Sequence, residues 1–512
     1  MSRSVAQPAG RTSTRTGAST VAPAAATSSY TPQRYPGAAP LDPASLHFAR
    51  RLTYGYTPAL AAEMAAAGGR RAWFERQLRP ASIPDAAADG LRAWWPSLNR
   101  APSELWERQV AEIEHGWVVM ADYARWLMMR RLTSQRQVHE LMTELWEGHF
   151  HVPVNGDSHF VHRTSYGDAL RARALGTFTD LLITATTHPA MGLFLDNAIS
   201  TKARPNENLG RELLELHTVG RGNYTEADVK DSARILTGYR VDVWKTWAAT
   251  YRPTDHATGP VRVMGFTHPN SDPDGRAVTR AYLTYLARHP ATARRICRRI
   301  ATRLVQDSPP AALVDHLASV YLTSGTSITA VLRALVARPE FLASAGRKVR
   351  DPGEDVVGTY RALGATLARP SADGSAVNQL LWQATALGAS PFSWPRPDGP
   401  PIDNASWSSG SRALASFSFH WSAAGRWWPK TDIAYAAPTD WLPQASLTFA
   451  QLVDHLCGRM LGTPSTPALL QACCEATGYQ PTTVVTATHP LVKWEFNRLL
   501  AILLDSPHHL TR

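Results

Sequence analysis

Apolar side chains in this chain return at helical spacing over most of its length and almost never alternate, which leaves little room for a sheet. Three such patterns follow one another between His289 and Leu342, and others cover 46–52, 103–132, 135–147, 165–187 and 225–238. More lie at 354–368, 374–388, 409–425, 447–461, 466–477 and 490–504. Proline, glycine and capping residues punctuate them. Thr57-Pro58 reads as a cap and first helical residue, Gly68-Gly69 as a stop, and Thr225 with Asp228 as a capping pair. The expected fold is mostly α, a multi-helix orthogonal bundle with long irregular loops. The longest irregular stretch, 240–277, reads as a loop or short hairpin and holds His256 and His268; loops of this length in compact proteins are usually functional or disordered.

With 44% hydrophobic residues and 17 tryptophans in 512 positions, the chain can bury a sizeable core. The Ser/Thr/Ala/Pro/Gly-rich residues 1–40 cannot, and are expected to be a disordered tail. Asp351-Pro352-Gly353 marks a break, dividing a main helical domain at 41–350 from a C-terminal helical region at 351–512 packed on it. The net charge of +11 permits contact with nucleic acid. The most basic segment, around Arg294, Arg295, Arg298, Arg299 and Arg303, spreads its arginines over more than half the helical wheel with no aromatic platform beside them. A solvated or partner-facing surface is therefore expected, and nucleic acid is not the expected partner. Four cysteines without paired CxxC spacing fit a reducing compartment. No run is long and apolar enough for a transmembrane anchor, and the N-terminus lacks a compact apolar signal region, so a cytoplasmic location is expected. Nucleophile-elbow, phosphate-loop, zinc-protease and dinucleotide signatures are absent.

Polar residues concentrate between Leu193 and Gly220. Asn206 or Asn208 can cap a helix beginning at Pro205, and Gly220 suits the residue past its end. At 100° per residue Leu209, Leu213 and Leu216 share one side, which should face the core. Glu207, Arg211 and Glu215 recur at i, i+4, i+8 on the other side and read first as a solvated salt-bridge ladder. Glu212 and His217 flank the leucine stripe and should be at least half buried. Either they are held by an arginine and a backbone carbonyl, or they form a ligand or general acid/base pair.

A second concentration follows the helix at 135–147. Its apolar face is Val138, Leu141, Met142, Leu145 and Trp146. Glu140, Glu144 and Glu147 lie opposite, where a solvated face is expected. His149 extends the apolar side inward, close to His151 in EGHFHVP, and the x-His-x-His spacing at a helix end suits a metal.

Several segments resemble the bacterial family known as domain of unknown function 1800. They are FARRLTYGYTP at 48–58, LWEGHF at 145–150, LFLDN at 193–197, PNENLGRELLELHTVG at 205–220, YTEADVKDSARILTGY at 224–239, HPATARRICRRIATRLV at 289–305 and PFSWPRPDG at 391–399. The resemblance runs from about residue 44 to near the C-terminus and implies a helical protein. For many members it implies export, and a gene neighbour from domain of unknown function family 1501 as a protein partner. Where the family's pattern commonly reads His-x-His before the phenylalanine, this chain has Glu147 and His149.

Two functional readings follow. In the first the chain is an enzyme, with Glu212 and His217 catalytic and His149 and Glu147 ligating a metal. Asp196, Asn197, Asn206, Glu207, Asn208, Arg211 and His256 would then orient these groups or bind substrate. The mixed imidazole and carboxylate set suits zinc, manganese or iron, and either hydrolysis or an oxidation. In the second the chain is a non-catalytic scaffold or maturation partner, and the same cluster is a buried polar network fixing how helices meet.

Overall fold

A computed structural model describes residues 31–35, 37, 39–156 and 158–512. Among these there are 24 α-helices and four two-stranded antiparallel sheets, so the chain is mostly α as its apolar spacing requires. Residues 1–30 of the expected tail lie outside the described residues. Within 31–40, Tyr35 is buried with its ring 5.3 Å from that of His455, and Gln33 accepts a hydrogen bond from Gln451.

The helix starts follow from local chemistry. Thr225/Asp228, Asp351/Glu354 and Thr448/Gln451 each form a reciprocal capping box. Three His-Pro pairs begin helices in another way. The Nδ1 atoms of His188, His289 and His489 each accept the backbone N–H two residues on, at 3.2 Å, while proline fills the first helical position or lies beside it. An imidazole that accepts at Nδ1 must be unprotonated there, so these caps are neutral histidines.

Several boundaries differ from the periodicity. The 103–132 pattern, which reads as one long helix or two, is two, Pro102–Val110 and Gly116–Thr133. The 165–187 pattern is also two, Phe160–Arg171 and Phe178–Thr187. The 240–277 loop carries two hairpins, Tyr239–Val241 with Ala249–Tyr251 and Val261–Val263 with Phe266–His268. A helix spans Arg276–Ala287, where no helix was expected.

One hydrophobic cluster runs through the protein, from Tyr35 and Leu46 to Leu503 and Leu504. Charged groups cross position 350 as well. Arg512 donates to Glu354 and to the Arg303 carbonyl, so the last residue of the chain is buried beside the first turn of the Pro352–Leu363 helix.

Candidate functional site

The stretch opened by Pro205 folds as a short helix, Glu207–Glu212, which widens into a π-turn at Leu213–His217. Asn206 caps it, its Oδ1 accepting the Asn208 N–H at 2.8 Å. The wider turn changes which leucines face inward: Leu209, Leu213 and Leu214 are fully buried, while Leu216 is only half-buried. π-turns are uncommon and often occur at functional sites. His217 is 1% exposed, and neither of its ring nitrogens has a hydrogen-bond partner. Burial, with Arg295 and Arg299 adding repulsion, pushes its pKa down to about 3, so the ring is neutral.

His149 meets it there. Its Nε2 lies 3.0 Å from the His217 carbonyl oxygen, and the two rings are 6.0 Å apart. Phe150 and Phe178 complete an aromatic box around them. Burial first, then Arg299, holds His149 well below the usual imidazole range. His151 is tied elsewhere, to the Trp394 carbonyl at 2.8 Å.

Glu147 faces away from this pair. Arg163 Nη2 donates to its Oε2 at 2.7 Å and the Tyr123 hydroxyl lies 3.1 Å from both oxygens, in a pocket where Arg163 and Glu147 side chains are 0% and 1% exposed. The carboxylate is thus occupied by a cation already. The solvated face expected for Glu140, Glu144 and Glu147 is overturned. Arg130 and Arg171 bracket Glu140 at 2.9 and 2.6 Å, and Arg131 and Arg303 bracket Glu144 at 3.2 and 3.3 Å. Other helices, from the preceding one with Arg130 and Arg131 to the distant one with Arg303, cover that side with guanidinium groups, and the helix wheel contains no trace of them.

Other sequence candidates scatter. Glu212 is half-buried, and burial with Glu215 raises its pKa. Asp196 is exposed and Asn208 Nδ2 reaches it at 3.4 Å. Asn197 is buried, donating to the Leu236 carbonyl at 3.0 Å and leaving its Oδ1 without a partner. Arg211 binds both oxygens of Glu226 at 2.7 Å and lies 3.5 Å from Glu207, which is the solvated ladder in altered form. His256 is saturated by Asn270 at 2.9 Å and by Thr237.

Of the site residues expected from the sequence, only Glu147 borders the cavity of about 100 Å³ that lies beside its helix. Glu144, Glu147 and Gly148 form one wall, Arg299 and Arg303 another, Lys348, Asp351 and Glu354 a third, and the 389–402 loop with Phe392, Pro400 and Ile402 closes it. One glycine, Gly399, makes that closure possible, and a second, Gly148, lies against it. A Cβ on Gly399, whose φ is +72°, would lie 2.0 Å from the Gly148 carbonyl oxygen, and one on Gly148 would lie 3.5 Å from Arg299 Nη2. Arg131 stacks over Phe392 at 4.9 Å.

Cations and carboxylates in the cavity wall are mostly paired. Tyr54 donates to Glu144 at 2.7 Å, Arg303 binds Glu354 at 2.7 Å, and Lys348 binds Asp307 and the Ile402 carbonyl. Arg299 differs: its Nε and Nη2 are buried without a hydrogen-bond partner, and burial lowers its pKa to about 10. Lys348 is lowered by burial to about 8. Burial and the neighbouring Glu144 raise the Asp351 carboxyl. Burial acts the same way on Glu144, but Arg131, Arg303 and the Tyr54 hydroxyl outweigh it and hold that carboxyl low.

Apart from Glu147, the cavity residues were not singled out by the sequence, because they come from five segments. One local signal existed: Arg295, Arg299 and Arg303 share a face at i, i+4, i+8 of the Pro290–Leu304 helix. Arg303 is buried on that face, while Arg294 pairs with Asp315 at the surface. The expectation of an outward basic helix is corrected for this side.

Fold and site together define a mostly α-helical protein with a small cavity lined by four cations and four carboxylates, most of them in buried ion pairs. The chain belongs to the family described as protein of unknown function (DUF1800), whose profile spans residues 47–511. No curated protein and no solved structure matches it. Among the described residues no helix is long and apolar enough to cross a membrane.

Proposed function

We propose that this protein is an enzyme that holds a small anionic substrate in the cavity against Arg299 and moves a proton between that substrate and Asp351 or Glu144. The observation that carries the reading is Arg299. The side chain as a whole is half-buried, but its Nε and Nη2 are shut off from solvent without a partner, a costly state that an anion would relieve, and it borders open space. About 100 Å³ holds a few waters or an ion of phosphate or carboxylate size, well below the roughly 300–1,000 Å³ of pockets for larger ligands. Asp351 and Glu144 supply the second half of the argument. Two neighbouring carboxyls pushed in opposite directions are the usual arrangement of a proton donor beside an ionised partner.

This reading moves the chemistry away from the metal centre expected at His149 and Glu147. Those residues become support: the imidazole seats the π-turn and the Glu147–Arg163 pair braces the helix bordering the cavity. Thermal unfolding of the full chain in inorganic phosphate, with chloride at equal ionic strength as control, tests the proposal. Phosphate should raise the Tm of the wild type and leave Arg299→Gln unmoved. Equal responses in the two proteins reject it.

The scaffold reading has its own support in exposed tryptophans, Trp382, Trp421, Trp427 and Trp494, which fit a protein-facing surface. A partner from domain of unknown function family 1501 is the one the family resemblance suggests. Co-expression with such a protein, followed by size-exclusion chromatography, should give one co-eluting peak. Separate elution counts against it.

A further inference from the structure

The Pro352–Leu363 helix presents Glu354 to the cavity, and its next residue turns the other way. Asp355 is fully buried there, together with His420 from the Gly410–Ala424 helix and His509 from the C-terminal Pro507–Leu510 turn. One ligating atom from each lies within 4.8 Å of the others. His420 Nε2 is 3.1 Å and His509 Nε2 3.8 Å from Asp355 Oδ1.

We infer that Asp355, His420 and His509 bind a divalent first-row cation of the zinc class. Tetrahedral bonds of about 2.0–2.1 Å place neighbouring ligand atoms roughly 3.4 Å apart, and the distances to Asp355 Oδ1 fall on either side of that value. The surroundings are built as such a site requires. His420 Nδ1 is 2.7 Å from Asp505 Oδ1, the carboxylate–histidine arrangement that orients a ligating imidazole and leaves Nε2 facing the ion. Asp355 Oδ2 is taken by Arg412 at 3.0 Å and by the Ser416 hydroxyl at 2.6 Å, so only Oδ1 is turned towards the two rings. Arg350 donates to the His509 carbonyl at 2.6 Å. Neither guanidinium therefore occupies a ligand atom. The Thr359 hydroxyl lies 3.3 Å from His509 Nε2 and is its hydrogen-bond partner in the metal-free arrangement.

Two imidazole nitrogens and one carboxylate oxygen are a borderline donor set, which excludes calcium and magnesium as the natural ions and suits zinc or iron(II). All three ligands are buried, so the ion would be a staple. It would join the chain's last helical turn to the helix that carries Asp351 and Glu354 into the cavity. Its binding does not depend on what the cavity holds.

The test uses the full chain, stripped with a chelator, dialysed and titrated with cobalt(II) and then zinc(II). The wild type should take up about one equivalent, with the visible absorption of four-coordinate cobalt and no thiolate charge-transfer band, and zinc should displace it. His509→Gln and His420→Gln should each lose that band while keeping the phosphate response of the cavity. No stoichiometric uptake by the wild type overturns the inference. So does a thiolate band, which would assign the ion to the cysteines, or an undiminished cobalt spectrum in both variants. Should the variants fail to fold, the wild-type spectrum decides.

Discussion

His149 Nε2 donates to the backbone carbonyl of His217 across 3.0 Å, joining the end of the Gln137–His149 helix to the last residue of a π-turn 68 positions later. The contact makes one imidazole a backbone anchor. It leaves the other a neutral ring with no partner on either nitrogen.

His149→Ala should therefore destabilise the fold by about 1–3 kcal/mol, the cost of leaving a buried carbonyl unsatisfied. Urea unfolding measures it, and the midpoint should fall with little change in slope. A loss under about 0.5 kcal/mol, the usual range for a surface change, would show that the contact is incidental.

Removing one partner of the Glu147–Arg163 pair strands the other in a dry site. Glu147→Gln should cost about 3–5 kcal/mol, and Glu147→Gln with Arg163→Met should recover a good part of it. Denaturant curves for the two singles and the double decide. Simple additivity of the two losses would mean that the charges are not coupled.

Arg299→Met should separate stability from binding. Replacing a half-buried cation that has two unpartnered buried nitrogens removes a desolvation cost, so the ligand-free variant should be more stable by about 1 kcal/mol. Its Tm should no longer respond to phosphate. A variant that is both less stable and still responsive would sink the proposal.

Phosphate affinity of the wild type should fall as pH rises through about 8, because Lys348 in the cavity wall loses its charge there. Isothermal titration between pH 7 and pH 9 reads the effect. An affinity that is flat across this window would remove Lys348 from the site.

Acid should unfold the protein earlier than carboxylate protonation alone would. Burial holds His188 and His217 at about 3 and His47 and His151 at about 4, against an unfolded value near 6.5. Below 6.5 the unfolded chain takes up protons that the folded chain refuses, so stability falls as pH drops from 6.5 towards 4. Each site contributes a few kcal/mol at the order-of-magnitude level, comparable together with the whole stability of a domain. Circular dichroism against pH should show the transition above pH 4, and a fold intact at pH 3.5 would contradict it.

Local physics settled a good deal. Helical spacing and capping chemistry gave the class of fold, the starts at Pro58 and Thr225 and the inward turn of His149 and His217. All of these rest on atoms within a few residues of each other. The π-turn at Leu213–His217 marks the edge of that reach: it exchanges Leu216 for Leu214 in the core, and no apolar pattern distinguishes it from an ordinary helix end.

Tertiary structure alone decided which charges meet. Glu140, Glu144 and Glu147 read as a wet face because their arginines arrive from other helices, as Arg163, Arg171 and Arg303 do. Asp355 and His420 are 65 positions apart, and Arg512 and Glu354 are 158 apart. A buried ion is stable only when an opposite charge and its hydrogen bonds close around it in space. That condition concerns distance through the folded chain, and spacing along the sequence carries no record of it.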